Sequence, residues 1–548
     1  MKSFEYQMRL TNFIDRARRL FPYKEVVSVE ADGEIVRNTY LDEYKRICRL
    51  ANALGRLGIK MGDAVGSFAR NTHRHYELYF AVPCIGATLH TINIRMSSDD
   101  SIYSIKQVGD KWIFVEEDLI TKFEPIAKEL KNTKGYIVLS KKKNAIELPP
   151  TTLSPVYLYE DLISRETIEY DFPADLDENT PASIFFTGGT TGRPKGVVYT
   201  HRHMFLRSLA LTSIEHFAIN QRDTIIHVVP LFHINAWYFP QTATLVGAKQ
   251  VYPGRDINPK TILNLIEQEK VTLSGGVPTI WMDCLNLLKS GEKKYDVSSL
   301  RLVAVGGAAM PRKALEECDQ MGINFVHVYG SSESPFISAA YLRPETENLP
   351  EEEQWKRRAS VGFFFPGYEC KVIHEDGTEI KWDGKDRGEV VCRSPWTIPS
   401  YYKAPEQSAE TFKDGWYHFG DIATVDEYGY INLVDRIKDV IKSGGEWISS
   451  IDLENTCMAH PSVSEACAIG VKHTRWTERP ILVIVPQPKC KRKLNEKAIL
   501  DFLASKLPEW WLPNKIIFTD TIPRTGPGKF DKKLLRDKYS DILLQEET

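Results

Sequence analysis

An α/β fold built on parallel sheet is what the sequence predicts, because short apolar runs alternate with helical stretches along most of the chain. Residues 184–186, 225–230, 302–305 and 325–329 are brief, apolar and β-prone, and each ends near glycine, proline or serine. Such runs between helical segments are the pattern of βαβ units. The stretch 41–57 carries the other period, with Tyr44, Ile47, Leu50, Ala51 and Leu54 on one face of an amphipathic helix. At 548 residues, 42% hydrophobic and 26% charged, the chain has the material for a large core and for more than one domain.

The totals also exclude function classes. A formal net charge of -3 gives no field that would recruit nucleic acid or an anionic membrane, and the basic cluster at 489–493 reads as a solvated loop. Nine scattered cysteines form no CxxC pair and no metal-site spacing, which fits a reducing cytoplasm. Met1-Lys2-Ser3-Phe4 opens no secretory signal, and no apolar run is long enough to span a bilayer. The expectation is a soluble cytoplasmic enzyme without a transmembrane segment.

The first segment predicted to act is Phe185-Phe186-Thr187-Gly188-Gly189-Thr190-Thr191-Gly192-Arg193-Pro194-Lys195-Gly196. Glycines let backbone N–H groups approach an anion, hydroxyls add donors, and Lys195 supplies charge, so the loop suits a polyphosphate. Pro194 before the lysine and Gly196 after it rule out a Walker A loop.

This loop resembles the signature of the adenylate-forming superfamily, which includes acyl-CoA synthetases, luciferases and peptide-synthetase adenylation domains. Gly188 departs from the pattern, standing where the family has Ser or Thr. Further segments resemble the family in its order. Val305-Gly306-Gly307-Ala308-Ala309 is a strand entering a glycine turn, and His327-Val328-Tyr329-Gly330-Ser331-Ser332-Glu333 follows. The resemblance implies that these frame a nucleotide, Tyr329 packing on adenine with Gly307, His327, Val328 and Ser332 around it. It gives the loop residues Gly189, Thr190 and Thr191 the phosphates, and gives Mg²⁺ to Thr187 and Glu333, hard oxygen donors suited to that ion.

In 415–421 the resemblance makes Asp421 the ribose acid, with Arg436 reaching ribose or phosphate and Asp435 as a hinge. Lys438, Lys442 and Trp447 resemble nucleotide contacts of a bacterial fatty-acyl-CoA synthetase branch, and Gly444 and Gly445 resemble a loop lining the CoA tunnel. Lys529, in Pro523-Arg524-Thr525-Gly526-Pro527-Gly528-Lys529, matches the lysine that stabilises charge during adenylation, alongside Lys195. Division falls at Asp435-Arg436, after the turn 426–430 and before a lysine- and glycine-rich loop at 438–446. That gives an N-terminal domain of 1–435 and a C-terminal one of 436–548. The implied fold is a large N-terminal region of two parallel-sheet subdomains and a β-barrel-like part, capped by a small mobile α+β domain.

The implied reaction joins a carboxylic acid to AMP at the expense of ATP, then passes the acyl group to coenzyme A. Residues 229–237 resemble the segment lining the acyl tunnel of bacterial fatty-acyl-CoA synthetases, with Trp237 at the gate and His233 beside the carboxylate. A core indole and a structural histidine are the alternative readings of these two. Residues 442–455 and 71–75 resemble the same branch and its methylthiopropionate-activating relatives, so a medium or long aliphatic acid is expected. Relatives form homodimers. Two other readings stay open: an adenylating enzyme with another acceptor, such as a carrier protein, and a silent lipid-binding homologue.

Overall fold

The computed structural model describes residues 6–142, 148–187, 193–308, 310–444, 446–490, 494–524 and 530–544. Two large sheets dominate. The seven-stranded one runs, by strand, 156–158, 135–139, 112–116, 64–68, 88–91, 181–187 and 195–200; all neighbours are parallel except the last pair. The nine-stranded one is parallel through its six central strands and antiparallel at both edges. Helix His73–Cys84 is buried at every residue and touches strands of both sheets, so it lies between them. An all-round buried helix is what a central layer requires.

The amphipathic helix expected at 41–57 is Tyr40–Arg56, started by Thr39 and Asp42 in a capping box. The run expected to be a strand over 225–230 is shorter: it pairs only over Thr224–Ile226. Asn71 Nδ2 takes the carbonyls of His227 and Val229 at 2.7 and 2.9 Å, and Pro230 has no N–H to offer a ladder. The backbone therefore leaves the sheet there.

A third, five-stranded sheet is antiparallel and spans 369–436. Its pairing among the described residues is open and branched: strand Trp416–Val425 pairs with three others, one of them Ile431–Arg436, to which the expected turn joins it. The fourth sheet lies in the C-terminal region and carries helices Ser450–Met458, Glu496–Ala504 and Lys532–Tyr539. The loop expected over 438–446 is a hairpin instead, with strands Ile441–Ser443 and Glu446–Ile448. Gly444 turns it at φ +62°, a conformation open to glycine without steric cost. No described helix is long and apolar enough to cross a membrane.

One buried charge cluster pins the helix between the sheets. His73 Nδ1 lies 2.7 Å from Glu77 Oε1, which also accepts from Arg46 Nε at 2.8 Å; Glu43 accepts from Asn38 at 2.8 Å. Arg46 and His73 overcome burial and hold Glu77 below the usual carboxylate range. Burial and the Glu77 charge push Glu43 the other way. A carboxyl raised on folding keeps its proton where the unfolded chain has lost it, so its contribution to stability falls as pH rises above the ordinary carboxylate range. Glu43→Gln, which keeps an acceptor for Asn38 and cannot ionise, is expected to flatten the decline of melting temperature between pH 5 and pH 8. Melting curves of both proteins across that range check this, and parallel declines would refute it.

Candidate functional site

The candidate site lies at the carboxyl ends of the parallel strands, where open α/β sheets take ligands. Strand Pro181–Thr187 runs into the phosphate loop, and Lys195 begins the returning strand Lys195–Thr200. Gly189, Thr190 and Thr191 lie outside the described residues. Strand Phe325–Tyr329 of the other sheet ends on Tyr329, and the turn after it carries Ser332 and Glu333. Tyr199 crosses between the sheets, its hydroxyl donating to the Ser332 carbonyl at 2.6 Å.

Glu333 is buried, and both its oxygens are engaged: Tyr401 donates to Oε1 at 2.7 Å and Tyr417 to Oε2 at 3.1 Å. A carboxylate has about four lone-pair positions, so each oxygen keeps one for a further partner. Thr187 Oγ donates to the Lys195 carbonyl at 3.5 Å, at the far limit of a hydrogen bond. Lys195 Nζ stands 4.6 Å from the centre of the Tyr401 ring, within range of the ring's negative face.

Beside this lies a second group. Tyr329 donates to Asp421 Oδ2 at 2.7 Å, and Arg436 Nε reaches Oδ1 at 3.3 Å. Asp421 and Arg436 face each other across paired strands. Burial and the adjoining Asp421 push the Tyr329 phenol up, so it stays a donor. Gly307 takes φ +84° at the mouth of strand Leu302–Gly306, whose Gly306 pairs with Val328. His327 is buried, with Nδ1 and Nε2 at 2.9 and 3.2 Å from the carbonyls of Ser360 and Ala308, and burial lowers its pKa. Both ring nitrogens thus face the backbone.

Trp237 sits in a backbone of rare shape. Ile234, Asn235, Ala236, Trp237 and Tyr238 all have positive φ, between 45° and 62°. Each costs an L-residue about 1–2 kcal/mol, and the surroundings hold the run in place. Ser183 bonds Asn235 at 3.0 Å, and the Thr242 hydroxyl and N–H take the Tyr238 carbonyl at 2.8 and 2.9 Å. The indole packs edge-on against Phe336, 5.1 Å between ring centres, and over two glycines. A Cβ at Gly275 would fall 2.9 Å from its Cζ3, and one at Gly306 3.6 Å from its Cη2. His233, half-buried, precedes the run and donates its N–H to the Pro230 carbonyl at 3.0 Å.

Asp435 lies on strand Ile431–Arg436 of the third sheet, and the remaining predicted residues follow it in the C-terminal region. Asp435 is buried, which raises its pKa, and it accepts from the Arg436 N–H at 2.8 Å and the Ser450 N–H at 2.6 Å. Lys438 is exposed two residues past Arg436. Lys442 and Trp447 are cross-strand partners in the hairpin, Trp447 packing against Ile422, Val434 and Val440. The hairpin bonds to its own sheet: the Lys442 N–H donates to Glu478 and the Gly444 N–H to the Trp476 carbonyl, both at 2.9 Å. Gly445 and Lys529 lie outside the described residues.

Contacts therefore join Lys195, Glu333 and Ser332 in one group and Tyr329, Asp421 and Arg436 in another, and Tyr417 and Tyr329 both pack on Phe419. Sequence reasoning missed Tyr401, Tyr417 and Tyr199. With 24 tyrosines in the chain, nothing in spacing singles out the three that face this turn.

Paired parallel sheets with a carboxylate, a lysine and an aromatic ring at their strand ends define a ligand-binding α/β enzyme. The profile of the family described as AMP-binding enzyme matches residues 14–402, and that described as AMP-binding enzyme C-terminal domain matches 452–529. The chain belongs to the AMP-binding enzyme family. It is 39% identical over 539 residues to the long-chain-fatty-acid–CoA ligase of Thermus thermophilus, covering 98% of this chain and 96% of that one. It is 36% identical to the 3-methylmercaptopropionyl-CoA ligase of Ruegeria lacuscaerulensis, covering 97% and 98%. Among solved structures, the anthranilate CoA ligase AuaEII in complex with anthranoyl-AMP superposes over 100% of both chains, with a TM-score of 0.85 and 22% identity.

Proposed function

We propose that this protein is an ATP-dependent acyl-CoA ligase acting on a medium- or long-chain carboxylic acid. The observation that carries the proposal is the contact chain from Lys195 through Tyr401 to Glu333 at the strand ends, in a chain similar over nearly its whole length to named CoA ligases. In the first step a carboxylate oxygen attacks the α-phosphorus of ATP, the bond to the β-phosphate oxygen breaks, and pyrophosphate leaves. In the second the CoA thiolate attacks the acyl carbon, the bond to AMP oxygen breaks, and AMP leaves.

In this reading the phosphate loop, with Gly189, Thr190, Thr191 and Lys195, receives the phosphates. Tyr329 offers adenine a flat face, Asp421 accepts from the ribose hydroxyls, and Arg436 holds Asp421 in place. Gly307, His327, Val328 and Ser332 form the backbone frame around the base, and Lys438, Lys442 and Trp447 contact the nucleotide from the small domain. Thr187 and Glu333 would hold Mg²⁺, which fits the free lone pairs on Glu333 and would neutralise phosphate charge. Trp237 and His233 border the acid. Lys529 stabilises charge in the first step, and rotation at Asp435 replaces it with Gly444 and Gly445 for the second. The division 1–435 and 436–548 follows that hinge. Cytoplasmic location and homodimer assembly belong to the same proposal, the first supported by nine cysteines without disulfides.

Pyrophosphate release from ATP, measured over acids of increasing chain length with and without CoA, tests the reading. Release with aliphatic acids and CoA-dependent AMP formation are expected. No release with any acid would overturn it, and release without thioester would favour another acceptor. Gly444→Ala tests the loop: its Cβ would fall 2.7 Å from Trp476 Cε3, at φ +62°. Thioester formation is expected to drop about tenfold, the scale of about 1–2 kcal/mol of strain. Adenylation should change less than about twofold, and equal losses in both steps would refute the assignment.

A further inference from the structure

The segment around Tyr401 stitches the turn that carries Glu333 to the strand that begins with Lys195. The Tyr402 N–H donates to the Gly196 carbonyl at 2.9 Å, directly after Lys195, and the Ile398 N–H donates to the Glu333 carbonyl at 3.0 Å. Between these anchors, Tyr401 is 6% exposed and its own N–H is held by Ser408 Oγ at 2.9 Å. Phe412 packs edge-on against its ring at 5.5 Å. A phenol fixed this firmly has one orientation. Its hydroxyl meets Glu333 Oε1 at 2.7 Å, and its ring centre lies 4.6 Å from Lys195 Nζ.

Each end of this side chain does something different. A hydroxyl donating to a carboxylate is a charge-assisted bond that fixes the plane of the acid. An aromatic face under an ammonium holds the charge by the ring quadrupole without consuming its three N–H donors. Lys195 is thereby held in place with N–H donors still available to an anion. Tyr417 supports the second Glu333 oxygen at 3.1 Å but, among the described residues, carries no lysine.

We propose that Tyr401 is a positioning residue shared by Glu333 and Lys195, its hydroxyl orienting Glu333 and its ring seating Lys195. This rests on the reading of Glu333 as a metal-holding residue and of Lys195 as a phosphate-holding one. Tyr401→Phe removes the hydroxyl and keeps the ring, whereas Tyr401→Leu removes both, so the two roles separate.

The test is Mn²⁺ binding followed by electron paramagnetic resonance on the full chain with ATP and no acid. ATP affinity is measured in parallel by calorimetry at saturating Mn²⁺. Tyr401→Phe is expected to raise half-saturating Mn²⁺ about tenfold and to leave ATP affinity within about twofold. Tyr401→Leu should show the same metal defect and, in addition, about tenfold weaker ATP binding. Unchanged Mn²⁺ binding in Tyr401→Phe would overturn the hydroxyl's role, and equal ATP affinity in the two variants would overturn the ring's. Glu333→Gln separates the underlying reading. If it leaves Mn²⁺ binding unchanged, the metal role of Glu333 falls and the hydroxyl's role with it. If it weakens Mn²⁺ while Tyr401→Phe does not, only the role of Tyr401 falls.

Discussion

Lys529→Ala is expected to slow acyl-adenylate formation about 10²–10³-fold while leaving thioester formation from supplied acyl-adenylate within about threefold of the parent. As pyrophosphate departs, negative charge grows on the bridging and nonbridging oxygens around the α-phosphorus, and a placed ammonium is worth most at that moment. The second step displaces AMP from an acyl carbon, forms no pyrophosphate and leaves that ammonium nothing to stabilise. Isotope exchange between pyrophosphate and ATP reads the first step, and single-turnover thioester formation reads the second. Equal loss in both would remove Lys529 from its assigned role. The C-terminal family match ends on this residue, so the prediction also tests whether that match carries its function.

Trp237→Ala and Gly275→Ala are expected to couple strongly, because the indole and the glycine share one space. In the parent, a Cβ at Gly275 would fall 2.9 Å from Trp237 Cζ3 and 3.0 Å from Phe239 Cε2. Overpacking of that kind costs about 1–3 kcal/mol. With the indole gone, its share of that cost is expected to vanish while the comparably close contact with Phe239 remains; the double-mutant cycle reports the difference. Trp237→Ala alone opens a slot floored by Gly275 and Gly306. If this is where the alkyl chain lies, kcat/KM should rise about fourfold for each methylene that the slot newly buries, at about 0.8 kcal/mol apiece. An unchanged chain-length profile would return Trp237 to the core.

How much of this was legible in the sequence depended on whether the determinant was local. The strand Phe325–Tyr329 and the helix Tyr40–Arg56 match their expected bounds closely, since each is set by its own period and caps. Strand Thr224–Ile226 is shorter than its apolar run because Asn71, far away in sequence, captures the carbonyls beyond it. The hairpin at 441–448 reads as loop in the sequence because its glycines and lysines hide two three-residue strands. The same rule holds at the site. Glu333, Asp421 and Arg436 could be picked from motifs, but Tyr401, Tyr417 and Tyr199 contribute through contacts that only the folded chain brings together. Trp237 was singled out, whereas the five-residue left-handed run that carries it has no signature in Ile-Asn-Ala-Trp-Tyr, which includes no glycine.

That run has a bearing on how such an enzyme changes its diet. Its residues stand uphill of their preferred backbone and are kept there by neighbours such as Ser183 and Thr242, so little local preference opposes a different path for the chain. The nucleotide half is tied into two sheets and cannot drift so freely. If this segment borders the acid, a lineage could re-route 234–238 to suit a new one without rebuilding the machinery that activates it.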